Sequence, residues 1–406
     1  LFTMILKIAW RNIWRNKLRS LVVMTAIFLG VWSGVFIDAL SLGMNNQRTE
    51  NFLSTSIGHI QIHNPKYLED NKISFTISNS NELLDFGKNI DGFHISNRTK
   101  IGGMVSSANG ASAGNVVGII PENEKEVSSI YESMVYGNYF EEYKKNGIVI
   151  GRKLAEKLKV KVNSKIILTF QDPNNEIIAS AFRIQGIYKT ANSRFDEMNV
   201  FVQQQDLARI MNTEILIHES GIWLDNKENV DQVTENLKSN FSNLEVRSWK
   251  IIAPDLSYTD EIMMQMLYII MLIILAALAF GIINTMLMSI LERRRELGML
   301  MAVGMNKTKL FSMVVIETIF LSLISGPLGL FVAYLSVEYF KVNGMDFSSV
   351  AAGLEDVGYS TIVYFDMDPE FYFGTLVMVV TTAILSSIYP AYKALQLNPV
   401  ESIRGI

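Results

Sequence analysis

Four stretches of this chain are long and apolar enough to cross a lipid bilayer, and that narrows the fold more than any other feature. A hydrocarbon core about 30 Å thick needs about 20 apolar helical residues. The first stretch spans 21–42 and holds one acid, Asp38, near its far end. The second, 263–291, lies between Glu261 and Glu292 with no charged residue between them. The third, 310–337, contains Glu317, and the fourth, 371–392, meets no charge until Lys393. Composition points the same way: only 19% of the 406 residues are charged, against about 25% in soluble domains.

Lysine and arginine near span ends set orientation. Lys7, Arg11, Arg15, Lys17 and Arg19 precede the first span without an acid. The 292–309 loop carries Arg293, Arg294, Arg295, Lys307 and Lys309 against Glu292 and Glu296, and the 393–406 tail adds Lys393 and Arg404 against Glu401. The 338–370 loop is acidic. One topology satisfies all four segments. Both termini and the 292–309 loop are cytoplasmic; residues 43–262 and 338–370 are outside. The first apolar region is too long for a typical signal core of about 7–15 residues, and no cleavage pattern follows it. Residues 1–20 read as an interfacial amphipathic helix: Lys7, Arg11, Arg15 and Arg19 recur every four residues, and Trp10 and Trp14 suit headgroup level.

Residues 43–262 read as a mixed α/β domain. Alternating runs at 59–63, 147–151, 165–170, 180–188 and 199–202 predict strands, and 171–176 (QDPNNE) predicts a hairpin turn. Helices are expected at 152–160 and 230–241. His59 and His63 share one side of the first strand, but no third metal ligand is near; a solvated strand face is the simpler expectation. The chain has no Cys, which excludes Cys-ligated metal sites and Cys nucleophiles. No H-E-x-x-H or calcium-loop pattern occurs. A catalytic outer domain is not expected, and neither is a metal. A net charge of −4 argues against nucleic-acid binding.

The loop after the second span, ERRRELGMLMAVGMNKTKL (292–310), is short but patterned. Leu297, Leu300 and Met301 form an apolar helical stripe. Gly304 suits the position just past a helix end, and Asn306 suits the cap of the next helix. A short helix at the membrane surface, presenting Met299 to Met305 to a partner, is expected. No G-x-x-x-x-G-K-[ST] occurs. If ATP drives this protein, ATP and Mg bind in a partner subunit.

The sequence resembles permease subunits of the MacB/FtsX/Lol superfamily of ABC systems, nearest the lipoprotein-releasing (LolC/LolE-type) branch. The resemblance rests on WRNIWRNKLRSL (10–21), ERRRELGMLMAVGM (292–305), the helix with Glu317 and SGPLG (325–329), and YPAYKALQLNPVESIRG (389–405). Outer-domain segments 116–124, 147–168 and 184–202 add to it. It implies four transmembrane helices, a periplasmic α/β domain between the first two, and a bacterial inner-membrane location. It also implies that 292–305 is a coupling helix seated in a cytoplasmic ABC ATPase. On that reading Glu292, Arg293, Arg294, Arg295, Glu296, Leu297, Gly298, Met299, Leu300, Gly304 and Met305 carry ATPase coupling. The implied partners are those ATPases, a second permease copy or paralogue, a lipoprotein substrate and a periplasmic carrier. At the place where one permease of that branch carries an extended carrier-recruiting loop, this chain has only the short turn 171–176.

An intramembrane carboxylate should face protein. Glu317 is expected to pair with the basic rim, through an Arg of 293–295 or of the N-terminal helix, and to transmit coupling. Asp38, Met44, Met263, Met264, Met266 and Leu267 are candidates for an apolar substrate groove, since Met adapts to varied apolar ligands. The competing functions are MacB-like efflux, FtsX-like mechanotransmission and a non-transporting membrane sensor.

Overall fold

The computed structural model describes residues 2–15, 17–140, 144–356 and 358–396. Most of the expected cytoplasmic tail, 397–406, lies outside the described residues. The chain divides into two compact units: 1–45, 261–346 and 362–406 form one, and 46–260 with 347–361 form the other.

In the first unit, α1 (Phe2–Arg15) leads into α2 (Lys17–Phe52), which continues into the second unit. Then come α3 (Pro254–Glu292), α4 (Arg294–Ala302), α5 (Lys307–Asn343) and α6 (Pro369–Leu395). Four of the described helices, α2, α3, α5 and α6, have the length and hydropathy of membrane spans. All outrun the expected apolar stretches: the third span ends at 337 by sequence, but α5 runs to Asn343. Gly344, at φ +69°, then stops it. The expected outer loop 338–370 is therefore not one piece. Met345–Asp346 and Ile362–Val363 pair as a two-stranded ribbon in the first unit, while 347–361 belongs to the second.

Close packing in the first unit relies on missing side chains. A Cβ on Gly329 of α5 would sit 2.9 Å from the backbone oxygen of Phe28, and one on Gly30 of α2 would sit 2.9 Å from Leu278. Gly34 lies one turn on, against Met271. Small residues at this spacing let helix backbones approach inside a membrane, where apolar burial alone drives little association. The core runs from Val23, Ile27 and Val31 of α2 to Leu275, Val314 and Val379 of α3, α5 and α6. The amphipathic α1 joins it: Ala9 and Ile13 are fully buried, and Trp10 packs edge-on against Phe320, centroids 5.6 Å apart. Its apolar face meets protein.

The second unit is a ten-stranded mixed sheet. Its strands are β1 (Ile60–His63), β2 (Phe93–Ser107), β3 (Gly110–Ile119), β4 (Met134–Gly137), β5 (Gly147–Gly151), β6 (Lys165–Gln171), β7 (Ile177–Tyr188), β8 (Asn199–Gln203), β9 (Glu219–Leu224) and β10 (Glu245–Ser248). The order is β10-β1-β9-β2-β3-β8-β5-β7-β4, with β6 bridging β2 and β7. The predicted 165–188 hairpin is β6–β7, antiparallel from Lys165–Arg183 to Gln171–Ile177. The 15-residue β2 is shared, pairing with β9 through its first half and with β3 and β6 through its second. Separate apolar cores cover the sheet, one around Ile60, Ile62 and Leu237 and another around Ile148, Leu168 and Phe182.

β1 is not a solvated strand. It lies between β9 and β10, and His59 and His63 are both buried. His59 stacks on Trp223 and accepts a hydrogen bond at Nδ1 from the Leu224 N–H, 3.0 Å. His63 Nδ1 lies 3.1 Å from the His218 carbonyl. Burial holds the His59 imidazole down at about 4 and also lowers His63 and His218. These histidines are neutral packing groups. Among the described residues no cluster of three or more His, Cys, Asp or Glu side chains is placed to hold a metal.

Candidate functional site

The richest polar constellation of the first unit gathers at one end of its helices, around α4. Helix α3 stops at Glu292, and Arg293 leaves helical geometry at φ −96°, ψ 14° before α4 begins. That break turns the Arg293 side chain inward. Its guanidinium donates to Glu317 of α5 at 3.2 and 3.4 Å and lies 3.4 Å from Glu296. Glu317 is only 7% exposed, so the pair offsets the cost of burying either charge alone.

Helix α4 ends in a Schellman arrangement. The Met305 N–H donates to the Leu300 carbonyl at 2.9 Å and the Gly304 N–H to Met301 at 3.1 Å, with Gly304 at φ +99°. Asn306 then caps α5, accepting from the Thr308 N–H at 3.3 Å. Leu297 and Gly298 are buried against the bundle, and Leu300, Met301 and Met305 pack on its core. Met299 is 56% exposed and Val303 87%, and Arg295 is exposed. One face of α4 is thus anchored while the other is open.

Two residues of this site were not singled out from sequence. Arg15 of α1 pairs with Glu296, and Arg19 of α2 pairs with Glu292 while donating to Ser289 Oγ at 3.1 Å. Arg15 beside Glu296 holds that carboxyl below its usual range. The four-residue recurrence of basic residues through 7–19 was the available signal; their partners, some 280 residues away, carried none. Between α1 and α4 runs a groove of about 600 Å3 lined by Arg11, Arg15, Arg293 and Glu296, with Ile8 and Leu300 as apolar walls.

The six groove candidates separate. Asp38 and Leu267 are fully buried, and neither Asp38 carboxylate oxygen has a hydrogen-bond partner. Met44 and Met263 are half-buried, whereas Met264 and Met266 are exposed. None of the six lines the α1–α4 groove.

The outer domain has its own buried charges. Arg98 of β2 donates to both Glu124 oxygens at 2.7 and 3.0 Å and to Glu219 of β9 at 2.9 Å; Lys100 reaches Glu219 at 2.5 Å. Burial alone would raise Glu219, but Lys100 and Arg98 outweigh it and hold the carboxyl at about 2. Each acceptor is used, which marks a structural tie between β2, β9 and the 121–127 helix. Asp196 is the converse: burial pushes it up to about 7, although it accepts from the Thr190 N–H and hydroxyl.

Residues 20–240 match the MacB-like periplasmic core domain family, and residues 268–399 match the FtsX-like permease C-terminal family. An uncharacterized ABC transporter permease of Methanocaldococcus jannaschii is 25% identical over 99% of this chain and 98% of its own length. The lipoprotein-releasing system transmembrane protein LolC of Buchnera aphidicola is 22% identical over 97% of this chain and 96% of its own. A pyoverdine export ATP-binding/permease protein of Pseudomonas fluorescens is 24% identical over 97% of this chain but only 58% of its own length.

Proposed function

The chain belongs to the ABC-transporter permeases of the MacB/FtsX/Lol family, and from that premise we propose that it couples ATP hydrolysis in separate ATPase subunits to the release of lipoproteins from the outer leaflet of the cell membrane. On this reading both termini and α4 are cytoplasmic, and the mixed sheet is periplasmic. The chain is not itself the enzyme: it receives motion from ATPases that carry ATP and Mg, and it works with a second permease copy or paralogue. The Arg293–Glu317 pair is the observation that carries the coupling role.

A coupling helix must be fixed to the membrane helices and open to a partner. Helix α4 meets both needs. Leu297, Leu300 and the Arg293–Glu317 pair fix it, while Met299, Arg295 and Val303 are open. Glu292 and Glu296 tie the same segment to Arg19 and Arg15. Displacement of α4 would therefore move α2 and α5 together, since packed interiors transmit strain.

Full-length similarity to LolC supports lipoprotein release. Equally long similarity to a pyoverdine exporter keeps efflux as the second reading. Purification in mild detergent with identification of bound proteins separates them. A co-purifying ATPase supports both, and ATP-dependent release of an acylated lipoprotein supports the first. An ATPase with no lipoprotein, releasing a small molecule, favours the second. No ATPase partner under any condition would refute both.

A further inference from the structure

We infer that the groove between α1 and α4 is a binding site for the headgroup phosphate of an anionic phospholipid, independent of any transported substrate. Three guanidinium groups, from Arg11, Arg15 and Arg293, line the groove with the Glu296 carboxylate, and Arg293 also pairs with Glu317 behind it. Arg15 and Arg293 are both committed to carboxylates. Arg11 has no acidic partner among the described residues. A bidentate guanidinium matches phosphate oxygens in geometry as well as charge.

Chain connectivity places the groove at lipid headgroup level. Helix α1 ends one residue before the spanning α2, and α4 starts directly after the spanning α3. The groove thus lies where apolar helix gives way to water. Its walls match: Ile8 and Leu300 are apolar, and Trp10 and Trp14, each about half exposed, sit on the same helix as Arg11. A phosphate among the arginines would leave the glycerol and first methylenes over Ile8. Excess positive charge favours a headgroup of net −1 over a zwitterionic one, whose ammonium would approach Arg11. Lipid phosphate would also compete with Glu296 for Arg15, so occupancy would loosen one tie between α1 and α4.

The test uses the full chain in mild detergent, offered equal amounts of phosphatidylglycerol and phosphatidylcholine, with retained lipid counted by native mass spectrometry. Phosphatidylglycerol should be retained preferentially. Arg11→Gln should lower that retention about fivefold, the worth of one basic residue near an anionic surface. Glu296→Gln, which frees Arg15, should raise it, and Lys238→Gln on the outer domain should leave it unchanged. Arg11 is exposed, so its loss does not threaten folding. Equal retention of both lipids would overturn the site, as would a preference that survives Arg11→Gln combined with Arg15→Gln. Displacement by inorganic phosphate would show a free-phosphate site instead. Failure of Arg11→Gln to bind the ATPase, with lipid retention unchanged, would assign the groove to the ATPase. Because lipid retention is read without ATPase or substrate, its failure leaves the transport proposal standing, and the reverse also holds.

Discussion

The Arg293 guanidinium lies 3.2 Å from the Glu317 carboxylate, joining the start of α4 to the interior of α5 across 24 residues of sequence. Removing one partner of a buried pair strands the other charge, which costs about 3–5 kcal/mol. Glu317→Gln and Arg293→Gln should each lower the thermal midpoint of the purified protein and impair ATPase stimulation. The double variant should lose less stability than the sum of the two. Strictly additive losses would show that the two groups do not act as a pair.

The Arg15–Glu296 pair is different in kind because both side chains are about half exposed. Such pairs contribute about 0–1 kcal/mol. Arg15→Gln should therefore leave the thermal midpoint nearly unchanged. If the tie carries motion, ATP-driven release should still slow, and high salt should reproduce the effect in the parent protein. A large stability loss would recast Arg15 as a structural residue.

Gly329 and Gly281 make a matched test of helix packing. A Cβ at Gly329 would meet the Phe28 backbone oxygen at 2.9 Å, whereas one at Gly281 would meet nothing within 4 Å. Gly329→Val should destabilise by about 1–3 kcal/mol through overpacking. Gly281→Ala should be neutral or stabilising by up to about 1 kcal/mol, since glycine is a poor helix former. Thermal unfolding of both variants in one detergent compares them directly.

Two outer-domain carboxyls set opposite pH slopes. Glu219 titrates at about 2 in the fold against 4.5 ordinarily. Its contribution, about 3 kcal/mol, is present above pH 4.5 and is lost as pH falls toward 2. Asp196 titrates at about 7 against 3.8. The folded state then holds the extra proton, so stability falls as pH rises from about 4 to 7. Asp196→Asn keeps an acceptor for Thr190 and should remove that slope, leaving the variant more stable than the parent at pH 8. Urea titrations across pH 4–8 would show whether the slope disappears.

Arg98 offers a further check on the same domain. Arg98→Ala would leave Glu124 and Glu219 buried with too little compensating charge, Lys100 alone remaining. A loss of about 3–5 kcal/mol is expected, read as a lowered unfolding midpoint of the outer-domain signal from Trp223 and Trp249.

Local chemistry wrote much of this molecule. The four spans follow from runs of apolar residues that lipid requires, whatever their neighbours. The α4 helix, its Gly304 stop and the Asn306 cap follow from backbone rules acting within a few residues, and the β6–β7 hairpin from its turn. Pairing between distant residues left no such trace. Arg19 meets Glu292 and Arg98 meets Glu219 only because helices and strands far apart in the chain come together. His59 and His63 looked solvent-facing because a period of two marks a strand without saying whether another strand covers its second face. Only the placement of β1 between β9 and β10 decided that. Likewise the amphipathic pattern of α1 is indifferent to what its apolar face touches. Burial of Ala9 and Ile13 against the bundle was decided by tertiary packing, which also opened the groove beside Arg11.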